Sequence, residues 1–129
     1  MAISGFPTVT GDVLTSSTMN SLVQFDVNTQ TDDYTATTND NYQELFVMNK
    51  ATAVAFKIPT NAAVAYPIGT VLTVLSIGVG VTTISAVTPG TTTVLSAGAP
   101  AASPTLAQYK SAACIKTGTD AWYVVGAIA

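Results

Sequence analysis

Residues 58–109 carry no charged side chain, and any fold of this chain has to cover that run. Within it, residues 58–87 read IPTNAAVAYPIGTVLTVLSIGVGVTTISAV, a mixture of β-branched residues, small residues and glycine. About 20 predominantly apolar residues suffice to cross a bilayer as a helix. Here Pro67, Gly69, Gly78 and Gly80 interrupt the run, and Thr70, Thr73, Ser76, Thr82, Thr83 and Ser85 recur through it. Only Lys57 gives it a basic flank, so it does not read as a membrane span. With period two, Val71, Thr73, Leu75 and Ile77 share one face and Leu72, Val74 and Ser76 share the other. Both faces are largely apolar, the pattern of a strand covered on both sides in a sandwich or at a subunit interface. Gly78-Val79-Gly80 offers residues that tolerate positive φ before residues 81–87 resume the β-branched pattern, which predicts a hairpin.

A chain of 129 residues can bury one core without disulfide or metal staples. Charged residues make up 9% of it, against about 25% in ordinary soluble domains, and the mean hydropathy is +0.44. So few charges leave a monomer with uncovered apolar surface, which implies that copies of the chain or a larger assembly cover part of it. Cys114 is the only cysteine, so no disulfide forms within the chain. The first 14 residues have neither a basic n-region nor an apolar h-region, and no secretory signal is expected there.

Taken in order, residues 2–10 read as an extended arm. Thr15 is a plausible N-cap, with Leu14 and Met19 placed as a hydrophobic staple. Met19, Leu22 and Val23 then give a short helix over 16–25 one apolar face. Residues 26–41 are rich in Asn, Asp and Thr and read as loop, with a short strand near 34–37. From Tyr42 a β-domain is expected, so the chain divides into 1–41 and 42–129. Leu45 and Val47 alternate with Glu44, Phe46 and Met48; Val54, Phe56 and Ile58 alternate with Ala53, Ala55 and Lys57 until Pro59 ends the strand. A strand near 91–95 and a surface loop over 96–104 follow. The last expected element is a hairpin, 112–116 with 122–128, turning at Thr117-Gly118-Thr119-Asp120, with Trp122 as its largest core or interface anchor. The fold class is therefore all-β: a small antiparallel β-sandwich or jelly-roll-like barrel with an extended N-terminal arm and one short helix.

Chemistry-bearing groups are few. The first 49 residues hold Asp12, Asp26, Asp32, Asp33, Asp40 and Glu44 and no basic residue; the rest holds Lys50, Lys57, Lys110 and Lys116 against Asp120. The acidic part is either a solvated loop or an arm that docks on a basic partner. There is no His and no Arg, which removes an imidazole base for Ser or Cys, a Cys/His metal site and bidentate phosphate clamps. Nucleic-acid binding is not expected without a basic cluster. Asp33 and Glu44 have the spacing of the first and twelfth positions of a calcium loop, but Thr35, Thr37 and Thr38 stand where ligands and glycine belong. No cofactor or metal is expected, and no catalytic residue.

Two stretches carry a resemblance. Gly11-Asp12-Val13-Leu14-Thr15-Ser16-Ser17-Thr18-Met19-Asn20 resembles a phrase near the start of bacteriophage virion structural proteins. Residues 58–126 are similar to a β-rich module of phage fibres and head-decoration proteins, through Ile58-Pro59, Tyr66-Pro67-Ile68-Gly69-Thr70-Val71, Gly78-Val79-Gly80, Tyr109, and Ile115-Lys116-Thr117-Gly118-Thr119-Asp120-Ala121-Trp122. The resemblance implies a non-enzymatic virion component, commonly a homotrimer, on the capsid exterior after synthesis in the host cytoplasm. One arm, one helix and one β-domain leave no room for the shaft and tip of a fibre, so a capsid decoration or cement protein bridging major capsid subunits is expected. Phe6, Leu14, Met19, Leu22 and Phe25 are the residues expected at capsid or intersubunit contacts. The alternatives are a small fibre or spike module binding a host glycan through Tyr34, Asn39, Asp40, Asn41 and Tyr42, and a carbohydrate-active enzyme using the same acidic loop.

Overall fold

The computed structural model describes residues 26–37, 40, 44–96 and 103–128. The expected arm, the helix over 16–25 and all five contact residues (Phe6, Leu14, Met19, Leu22 and Phe25) lie outside the described residues. Those described form ten strands and no helix: β1 (Asp26–Gln30), β2 (Tyr34–Thr35), β3 (Glu44–Met48), β4 (Val54–Ile58), β5 (Val71–Ser76), β6 (Thr82–Ala86), β7 (Thr93–Ser96), β8 (Thr105–Leu106), β9 (Lys110–Gly118) and β10 (Ala121–Gly126).

The first six strands shuttle between two sheets. Strands β1, β3 and β5 lie side by side and parallel in a six-stranded sheet of order β1-β3-β5-β9-β10-β7, and β2, β4 and β6 do the same in a four-stranded sheet of order β2-β4-β6-β8. The chain thus stacks three two-strand coils, and residues 26–35 belong to the same sheets as the rest. The final strands close this stack: β9 and β10 form the expected hairpin, β9 also runs antiparallel to β5, β8 antiparallel to β6, and β7 parallel to β10. The all-β class holds. The wholly antiparallel, jelly-roll-like arrangement does not, since five of the eight strand pairings are parallel.

Two further expectations are corrected. Gly78-Val79-Gly80 makes no hairpin, because β5 and β6 sit in different sheets. Neither glycine has positive φ. Both are needed for close approach: a Cβ on Gly78 would meet the backbone of Lys50, and one on Gly80 the backbone of Thr52. Residues 77–81 form a corner lying on the matching corner of the preceding coil, where Gly78 N–H donates to Met48 O, Gly80 N–H to Lys50 O and Val54 N–H to Val81 O. The second correction concerns residues 26–30, which are strand. Their polar side chains gave no β pattern, but β3 offers an edge that satisfies their backbone, and tertiary context outweighs propensity in strands.

The inward faces of both sheets meet in one sandwich-like core. Phe46, Met48, Leu72, Val74, Cys114, Trp122 and Val124 come from the six-stranded sheet; Val54, Phe56, Ile58, Ile84 and Leu106 come from the four-stranded one. The Phe46 and Phe56 rings cross between the sheets at 4.8 Å, and Tyr34 joins them at 5.8 and 6.5 Å. The fully buried Phe46 and Phe56 each stabilise the fold by about 2–3 kcal/mol of transfer free energy.

Candidate functional site

Because strand side chains alternate, the register fixes what each sheet shows outward. One row across the six-stranded sheet runs Val27, Leu45, Thr73, Ala113, Val125; the next runs Val71, Ile115, Tyr123, Leu95. Neither row contains a charge. Val71, Tyr123 and Val125 are 37–39% exposed and Val27 65%, whereas Val47 in the neighbouring outward row is buried, so the face is apolar and open at those four positions. The four-stranded sheet differs: its outward rows are Thr35, Lys57, Ser85 and Ala55, Thr83, Thr105. These are small or polar groups that water solvates well.

A second feature lies on the inward face. Lys116 follows Ala112 and Cys114 at spacing two, and all three are buried. Its Nζ donates to Asn61 Oδ1 and to the Tyr66 carbonyl, each at 2.6 Å. Burial pushes its pKa down, partly opposed by the charge of Asp120. Asp120 Oδ1 in turn accepts the Asn61 N–H at 2.7 Å and the Thr92 hydroxyl at 3.2 Å. The spacing Ala112, Cys114, Lys116 was a legible signal for a buried lysine; its partners were not, because the β4–β5 connection that supplies them has no periodicity.

A third lies at the β1 edge. Tyr34 donates its hydroxyl to both Asp40 oxygens at 2.7 and 2.9 Å, the Thr37 N–H donates to Asp40 Oδ2 at 2.6 Å, and Asn28 Nδ2 donates to Glu44 Oε2 at 3.4 Å. Asp40 and Glu44 are both buried. Desolvation, then the hydrogen bond and charge of Asp40, push the Glu44 carboxyl up to about 7. The same burial, followed by the Asp40 contact, raises the Tyr34 hydroxyl. Tyr34 and Asp40, expected in a glycan-binding tip, are thus engaged with each other; Asn39, Asn41 and Tyr42 lie outside the described residues. Asp33, whose spacing to Glu44 matches a calcium loop that the intervening residues rule out, accepts the Ala55 N–H at 2.9 Å.

Cys114 is fully buried, with its thiol pushed up to about 12 by desolvation, which suppresses the reactive thiolate. Tyr109 is 75% exposed and holds φ at 66°, its N–H donating to Ser76 O at 2.6 Å. That left-handed backbone costs about 1–2 kcal/mol in a non-glycine residue. No helix among the described residues is long and apolar enough to cross a membrane. Comparison with protein-family models, with curated proteins and with solved structures gives no match. Of the three features, the outward face of the six-stranded sheet is the most extended surface.

Proposed function

We propose that this chain is a non-enzymatic bacteriophage capsid decoration, or cement, protein that assembles as a homotrimer and bridges neighbouring major capsid subunits. The observation that carries the reading is the uncharged outward face of the six-stranded sheet, with Val71, Ile115, Tyr123 and Val125 at its middle. The virion setting comes from the resemblance of residues 11–20 and 58–126. Association through that face stabilises the assembly by removing apolar area from water rather than by chemistry.

The size of the face sets a further condition. Six strands about 4.8 Å apart and about five residues long at 3.3 Å each span roughly 400–500 Å². A stable interface takes about 800 Å² from each partner. The remaining area is assigned to the N-terminal residues Phe6, Leu14, Met19, Leu22 and Phe25, which would reach neighbouring subunits. Binding of this kind shifts the capsid equilibrium toward the assembled state by mass action.

Quantitative mass spectrometry of purified virions tests the proposal. A copy number close to that of the major capsid protein is expected. A few trimers per particle would replace it with a fibre or spike module, and absence from the particle would overturn it.

A further inference from the structure

Lys116 is the one lysine that the described residues bury, and no step of the function proposed above uses it. Its Nζ lies 2.6 Å from Asn61 Oδ1, in hydrogen-bond contact with a carboxamide 55 residues away in sequence. Backbone bonds fix both partners. Lys116 N–H donates to Thr70 O and Gly69 N–H to Lys116 O, while Asn61 N–H is held by Asp120 Oδ1. Trp122 stands opposite Lys116 in the β9–β10 register, and the Tyr66 ring meets Trp122 edge-on at 6.0 Å. A buried amine and a half-buried carboxamide therefore meet, with the Asp120 carboxylate bound to the backbone N–H of the carboxamide's own residue.

We propose that Lys116 and Asn61 react to form an intramolecular isopeptide bond, tying the β4–β5 connection to β9. The neutral Lys116 Nζ attacks Cγ of Asn61 with its lone pair and a new C–N bond forms. The Cγ–Nδ2 bond breaks, Nδ2 takes up the proton lost from Nζ, and it leaves as ammonia. The products are one secondary amide and one ammonia, with no oxidant, reductant or cofactor. Asp120 is a positioning residue: it anchors the Asn61 backbone beside the amine.

Three observations support the reaction over a plain hydrogen bond. The amine already lies against the carboxamide, and holding reactants in contact replaces an encounter step. Second, Nζ has two acceptors, Asn61 Oδ1 and Tyr66 O. Two hydrogens of a neutral amine satisfy both, whereas an ammonium has three donors to place; attack then requires Nζ to give up its bond to Oδ1 and turn its lone pair toward Cγ. Third, burial favours the neutral amine. The secondary amide that results still has an N–H to donate to Tyr66 O.

Intact-mass spectrometry of the purified, folded full-length chain tests this. The mass is expected below the sequence mass by one ammonia, and Lys116→Met and Asn61→Ala are each expected at their full calculated masses. Proteolysis of the wild type should release a branched peptide containing both residues, which stands whether or not either variant folds. A folded wild type at its full sequence mass overturns the proposal. So does a deficit that persists in Lys116→Met, because asparagine cyclisation elsewhere also releases ammonia.

Discussion

The two sheets share one core and differ in what they turn outward. Across the six-stranded sheet the outward rows are Val27, Leu45, Thr73, Ala113, Val125 and Val71, Ile115, Tyr123, Leu95; across the four-stranded sheet they are Thr35, Lys57, Ser85 and Ala55, Thr83, Thr105. The first three strands of each sheet share the coil-stacking pattern, while β9, β10 and β7 extend the six-stranded sheet alone. The contrast lies in side-chain choice at alternate positions. An outward face needs no apolar residues to fold; on the proposed reading those present on the six-stranded sheet serve contact between subunits. If the proposed assembly holds, the difference separates residues needed for folding from residues available for association.

The harshest way to break the comparison is to remove the core beneath both faces. Phe56→Ala takes a fully buried ring from contact with Phe46 and Tyr34 and is expected to cost about 3–5 kcal/mol, measured by urea denaturation. Substitutions on the faces sharpen the contrast. Tyr123→Lys places a charge in the middle of the apolar face and is expected to weaken self-association by at least about 30-fold, the loss of one interface anchor of about 2 kcal/mol. Thr83→Lys on the opposite face is expected to leave association unchanged and stability within about 0.5 kcal/mol. Native mass spectrometry across a dilution series reads both. Equal effects from the two variants would remove the distinction between the faces.

Titration probes the inward side of the β1 edge. The folded chain holds the Glu44 proton up to about pH 7, whereas the ordinary carboxyl value is 4.5. Between those values the folded state binds a proton that the unfolded state has released, so stability should fall as pH rises through this window and level off above it. Glu44→Gln should flatten that slope in melting temperatures taken from pH 4.5 to 8. The smallest effect is expected at the Lys50–Asp32 ion pair, 2.7 Å long with Asp32 78% exposed. Asp32→Asn should leave the melting temperature almost unchanged, and the difference should vanish in high salt.

How much of this was legible in the sequence follows from the range of each signal. Alternation in ELFVM and VAFKI marked β3 and β4, and the Thr117–Asp120 turn followed by Trp122 marked the closing hairpin, because those signals are local. The period-two reading of residues 71–77 foresaw a strand there, and β5 forms over Val71–Ser76; of the cover expected on both sides, β5 is buried only on its Leu72, Val74 and Ser76 side. The parallel coils were not legible: Gly78-Val79-Gly80 suits a tight turn and a close-packed corner equally, and only the Lys50 and Thr52 backbones beside it decide between them. Nor was β1, whose polar side chains gain their role from β3. The partners of Lys116, Asn61 and Tyr66 sit in an irregular connection and became visible only with the fold.

The most direct test of the central claim is sedimentation equilibrium of the wild-type chain at micromolar concentration. If the outward face of the six-stranded sheet is an interface between copies, the measured mass will be three times the 13.2 kDa of one chain, and Tyr123→Lys will bring it down toward one. A wild type that sediments as a monomer with that face open to water would contradict the account.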